Sequence, residues 1–131
     1  MQPKSLVLAD TNVLARYLLK DQPEQFVQAE RFIRQSPQRS IYLPDAVFLE
    51  LSFVLLSYYR VPKGELVKIL GLLIRSAKFV LDYPLLSTTL DVFANHTISL
   101  IDSYIVAQYK TGPVQKVKTF DKKLLRLIQA I

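Results

Sequence analysis

Short apolar runs alternate with longer stretches of helical period along this 131-residue chain, and that alternation limits the folds open to it. Ser5 to Ala9 (SLVLA) reads as a short buried strand, and Ile41 to Leu43, Phe79 to Asp82 and Val114 to Thr119 as further short strands, rich in leucine and β-branched residues. Between them, spacing predicts helices over 11–20, 23–35, 44–60, 63–76, 85–95 and 99–109, and a last short one over 122–128. Pro44 suits a first helical turn, where its missing N–H costs nothing, and Asp45 adds favourable charge there. The helix that follows is apolar on nearly every side, so it is expected to be central. Val61-Pro62 and Gly112-Pro113 interrupt the pattern. Strands alternating with helices, without a hairpin signal, predict an α/β fold: one compact domain with a parallel sheet covered on both faces.

Composition removes several chemistries. Cysteine is absent, which excludes disulfides, thiolate nucleophiles, iron–sulfur clusters and thiolate zinc sites. The single histidine, His96, excludes two-histidine metal motifs and disfavours a hydrolytic triad; it reads as a surface or helix-end residue. The first apolar run is cut by Asp10 and is too short for a signal-peptide core. The most apolar region, AVFLELSFVLLSYY, carries Glu50 and stops at Arg60, short of a membrane span. A soluble, cytoplasmic protein without a membrane partner is therefore expected.

Four acids fall where an open parallel sheet binds its ligands, outside the carboxyl ends of its strands. Asp10 follows the first strand, Glu50 lies in the second turn of the helix after the second, Asp102 opens the helix leading to the last strand, and Asp121 follows that strand. N-capping is open to Asp10 and Asp121. Ser99-x-x-Asp102 has the form of a capping box, although Asp102 shares a stripe with Ile98, Ile105 and Val106 that directs it inward. Glu50 rides a stripe with Ala46, Val47, Phe53 and Val54, where a carboxylate needs a cation, a donor or a proton; an arginine ion pair would supply the first.

Gathered together, four carboxylates repel unless a cation joins them. An all-oxygen donor set selects a hard ion, Mg²⁺ or Mn²⁺, which polarises phosphoryl oxygens and acidifies water. The charge balance fits a polyanionic substrate. Lys and Arg number 17 against 11 Asp and Glu, for a net charge of +6. Six of the cations (Lys110, Lys116, Lys118, Lys122, Lys123 and Arg126) fall after residue 109, around Asp121. Such a rim grips phosphates without reading sequence, though a solvated basic tail has the same composition. The residues thus suggest metal-assisted phosphodiester hydrolysis.

D-T-N-V-L (Asp10 to Leu14), a lone glutamate in LPDAVFLELSFVL, S-L-I-D-S-Y-I-V-A (Ser99 to Ala107) and V-K-T-F-D (Val117 to Asp121) follow in an order that resembles the PIN domain, and more narrowly the VapC-type toxins of toxin–antitoxin pairs. The similarity covers essentially the whole chain. It implies a single PIN-like domain over residues 1–131, with a short parallel β-sheet of four or five strands flanked by helices on both faces. It implies a Mg²⁺- or Mn²⁺-dependent endoribonuclease with Asp10, Glu50, Asp102 and Asp121 as catalytic metal ligands. Thr119 would help hold a ligand or water, Asn12 would orient the first-strand loop, and Lys116, Lys118, Lys122 and Lys123 would contact RNA. It also implies a homodimer and a small antitoxin protein that inserts into the acidic crevice. The chain departs from the family where Lys122 and Lys123 replace a further acid often found after the fourth, which bears on a second metal. It also ends soon after Asp121, so a fifth strand would be short or missing.

Other readings meet specific obstacles. A receiver-type signalling domain wants an acidic pair after its first strand, where this chain has Thr11-Asn12, and a DxD phosphatase fails at Asn12. A catalytically inactive PIN-like module that binds RNA or protein remains the alternative. It gives no reason for four carboxylates within a basic frame. Tyr58 and Tyr59 end the apolar helix and are expected at a dimer or partner surface rather than stacked on RNA bases.

Overall fold

The computed structural model describes residues 5–131. The chain divides into two compact units, one reaching to Leu81 and the other Asp82–Ile131.

The first unit holds a sheet of three parallel strands, β1 (Val7–Leu8), β2 (Ile41–Tyr42) and β3 (Phe79–Val80), in the order β1-β2-β3. Val7 pairs with Ile41, and Ile41 with Phe79. The parallel pairing and crossover helices agree with expectation, while the strands are shorter than their apolar runs and β1, expected to be buried, is an edge strand exposed at both Val7 (47%) and Leu8 (53%). After β2 the N–H of Leu43 still reaches the Val80 carbonyl at 2.9 Å, but Pro44 has no N–H to continue the ladder.

Helix α1 (Thr11–Leu19) starts on Asp10, whose Oδ1 accepts from the Val13 N–H at 3.1 Å. It ends on Lys20 with φ 56°, in the left-handed region. Helix α2 (Pro23–Gln35) opens with proline in its first turn, as a residue without an N–H can. At its far end the Lys78 ammonium donates to the carbonyls of Arg34 and Ser36, placing a cation on the negative end of the helix dipole. Helix α3 (Asp45–Phe53) runs into a single π-helical segment, Val54–Tyr58, before α4 (Lys63–Arg75). Phe48, Leu51 and Leu55 are fully buried with Leu14, Ile41, Leu43, Leu66 and Leu70. Each contributes about 1.5–3 kcal/mol by leaving water. The helix expected to be central therefore supplies the middle of this core. Lys20, Arg39 and Arg60 are non-glycine residues with positive φ, at 56°, 54° and 55°.

The second unit is helical: α5 (Tyr83–Asn95), α6 (Leu100–Thr111) and α7 (Lys122–Ala130). Val92, Val106, Leu124 and Ile128 form its core cluster. Here one expectation is corrected. The sheet has three strands among the described residues rather than four or five, because 114–119 forms no strand. Val117 packs against the helical core cluster, and its neighbours Lys116 and Lys118 are exposed. A β-branched run becomes a strand only where a partner edge meets it, and that is a tertiary condition. His96 caps the C-terminal end of α5, as expected of a helix-end residue.

Candidate active site

Three of the four candidate acids are bound up with helix N-termini, where unpaired N–H groups favour a negative charge. Asp10 caps α1 and is exposed. Asp121 caps α7, its Oδ1 accepting from the N–H groups of Lys123 (2.9 Å) and Leu124 (3.0 Å). Asp102 sits in the first turn of α6, half-buried, and its N–H donates to Ser99 Oγ at 3.0 Å. That bond is the half of the capping box made by the serine.

Glu50 is exposed on α3, opposite the buried Phe48, Leu51 and Leu55. Its stripe is thus the outer side of the helix: Ala46 and Phe53 are exposed, and Val47 and Val54 half-buried. The partner of Glu50 is a hydroxyl, not an arginine. Thr11 Oγ1 donates to Glu50 Oε1 across 39 residues of sequence. Thr11 is buried at 8% exposure, so its hydroxyl is held by packing before it reaches the carboxylate. Sequence reading passed over Thr11; the only available signal was its place inside D-T-N, between two residues already singled out.

The ion pairs found among the described residues, Arg16–Asp21 at 2.8 Å and Arg34–Glu30 at 3.2 Å, use other acids. The four candidate carboxylates remain oxygen donors not committed to those cations. In kind they fit a hard divalent ion. Asp10 and Glu50 lie in the first unit, bracketing Thr11, and Asp102 and Asp121 lie in the second. Within each unit, among the described residues, no three acidic or histidine side chains form a cation cage.

A groove of about 750 Å³ in the first unit brings Asp10, Asn12 and Arg16 together with Gln25 and Gln28 of α2. Arg16 is fixed there. Its Nη1 bonds both oxygens of Asp21 (2.9 and 2.8 Å), and its Nη2 donates to the Tyr59 hydroxyl. The Tyr59 hydrogen bond raises the guanidinium pKa above its ordinary value, so this group stays cationic.

In the second unit Thr119 Oγ1 accepts from the Asp121 N–H at 3.0 Å, so Thr119 shapes the approach to that acid. Lys123 donates to the Thr97 carbonyl and thereby ties the start of α7 to the segment before α6. Lys118 lies over the Phe120 ring, 5.4 Å from its centroid, and Phe120 is 93% exposed. Lys116 and Lys122 are exposed.

Among the described residues no helix is long and apolar enough to cross a membrane. The chain matches no curated protein and no solved structure significantly. A family model described as PIN domain does match it over residues 7–128, spanning both units and all four candidate acids. The chain belongs to the PIN domain family.

Proposed function

We propose that this chain is a divalent-metal-dependent endoribonuclease that hydrolyses RNA phosphodiester bonds, and that it is the VapC-type toxin of a toxin–antitoxin pair. PIN domains are typically nucleases, which gives a nucleic-acid substrate; RNA, the metal and the toxin role are the finer reading. The observation that carries it is the PIN-domain match over residues 7–128, which takes in all four carboxylates, three of them at helix N-termini.

Asp10, Glu50, Asp102 and Asp121 are the proposed ligands of Mg²⁺ or Mn²⁺. When bound, that ion would polarise a phosphoryl oxygen and lower the pKa of water. The protein's own groups have separable tasks. Thr11 holds the Glu50 carboxylate in one orientation, and the capping bonds of Asp10 and Asp121 restrict their rotamers. Asn12 stands beside Asp10 in the same groove, placed to orient its loop. Lys116, Lys118, Lys122 and Lys123 are proposed to contact phosphates, with Lys123 also serving structure through Thr97. A homodimer and a small antitoxin seated over the acids belong to the same proposal, as does a single domain made of both units.

Thermal melting against Mg²⁺, Mn²⁺ and Ca²⁺, followed by an RNA-cleavage screen, tests the reading. A ligand that binds only the folded chain raises Tm by mass action. Stabilisation by Mn²⁺ or Mg²⁺ together with cleavage, both lost in Asp10→Asn, is expected. A chain that ignores millimolar metal and leaves RNA intact would be the inactive binding module instead.

A further inference from the structure

A second groove of about 530 Å³ adjoins the first and shares two residues with it, Asn12 and Arg16. Its other lining comes from the end of α3 and the π-helical segment, chiefly Phe53, Ser57, Tyr58 and Tyr59. The aromatic groups are exposed: Phe53 at 65% and Tyr58 at 77%. They are also braced. Arg16, locked by Asp21, lies over the Tyr59 ring at 5.5 Å and holds it in place, because Arg16 Nη2 also donates to the Tyr59 hydroxyl. Tyr58 stands edge-on to Tyr59, with ring centroids 4.8 Å apart and planes at 71°. Tyr59 is therefore pinned from one side and supports Tyr58 from the other, while Tyr58 remains largely open to solvent.

The groove is continuous with the candidate site by two routes. Asn12 follows Asp10 by two residues and lines both cavities. Phe53 follows Glu50 by three residues on α3, which puts the two on one face of the helix. The lining carries a guanidinium, an amide and the hydroxyls of Ser57, Tyr58 and Tyr59, and no acid. Aromatic faces with adjacent hydrogen-bonding groups and no negative charge suit a nucleobase attached to a phosphate chain.

We infer that this groove is a base-stacking subsite, in which an unpaired nucleobase of the RNA next to the cleaved phosphate stacks on Tyr58 and Phe53, with Asn12 and Ser57 facing its edge. The inference rests on the nuclease reading and narrows it to single-stranded or looped RNA, since a paired base inside a duplex offers no free face. The π-helical segment has a part in this. Its wider turn, closed by the Tyr59 N–H on the Val54 carbonyl at 3.1 Å, changes the angular step at which Tyr58 and Tyr59 leave the helix.

The test uses a short single-stranded RNA carrying 2-aminopurine, whose fluorescence is quenched on stacking, titrated with the intact protein in EDTA so that binding is read without cleavage. Quenching by the wild type is expected, with at least about tenfold weaker affinity in Tyr58→Ala and Phe53→Ala, recovery in Tyr58→Phe, and no quenching of the same probe in a duplex. In Mn²⁺, the Tyr58→Ala defect is expected in KM rather than kcat. Circular dichroism melts confirm that these exposed positions tolerate the changes. Cleavage by the wild type without quenching, or with KM unchanged in Tyr58→Ala, overturns the subsite and leaves the nuclease reading standing. Tyr58-dependent quenching without cleavage in any metal supports the subsite and sinks the nuclease. If Tyr58→Ala changes the sedimentation mass and leaves RNA affinity unchanged, a second copy of the chain occupies the groove and the subsite is wrong.

Discussion

Asparagine caps a helix about as well as aspartate but carries no charge, so Asp10→Asn separates the two tasks assigned to that position. Its oxygen can still accept from the Val13 N–H, and metal-free stability should stay within about 0.5 kcal/mol of wild type. Metal-induced stabilisation should disappear and cleavage should fall by orders of magnitude. Equal cleavage in the two proteins would remove Asp10 from the metal site. Thr11 separates by a different route. Thr11→Val keeps the shape and deletes the donor to Glu50, costing about 1 kcal/mol in urea melts and weakening metal affinity. Thr11→Ser should recover the affinity, and a valine variant with unchanged metal binding would reduce Thr11 to packing. The position of Glu50 in the helix after β2 could be read from sequence, although its apolar neighbours there predicted a burial that its exposed side of α3 does not have. Its partner could not, because that hydrogen bond exists only once α1 packs on α3.

Helices were the legible elements, since each announces itself by period and four of the seven described also by a side-chain cap. The spans predicted for 11–20, 23–35 and 63–76 match α1, α2 and α4 within a residue at either end. The acids singled out as candidate caps, Asp10 and Asp121, do cap. Strands were less legible: a run such as Val114 to Thr119 shows β-branched residues but not whether an edge awaits them. The π-helical segment has no local signature in VLLSY that distinguishes it from continued α-helix. Gly112, by contrast, has a role visible at once in the structure. A Cβ there would lie 2.9 Å from the Gln108 carbonyl oxygen, a backbone atom fixed by the end of α6. Gly112→Ala should therefore destabilise the chain by about 1–3 kcal/mol, measured by chemical denaturation. An unchanged midpoint would show that the end of α6 yields without cost.

At the scale of the whole molecule the net charge of +6 predicts a salt-dependent grip on RNA. Each phosphate contact to single-stranded nucleic acid contributes about −0.7 to the slope of log K against log salt. Replacing Lys116 and Lys122 with glutamine should weaken binding to all sequences alike and flatten that slope by roughly 1.4 if both contact phosphate. Filter binding across a range of KCl concentrations decides it; an unaltered slope would return these lysines to the solvated tail.

The three left-handed turns at Lys20, Arg39 and Arg60 offer a way to vary the molecule's electric field without touching its proposed grip. Each places a cation where a Cβ crowds the following carbonyl, a conformation glycine adopts without that crowding. Glycine at all three would bring the net charge from +6 to +3. Relief of crowding would offset much of the added freedom of the unfolded chain. Long-range attraction, felt as the rate of encounter with RNA, could then be tuned apart from the lifetime of the complex that follows.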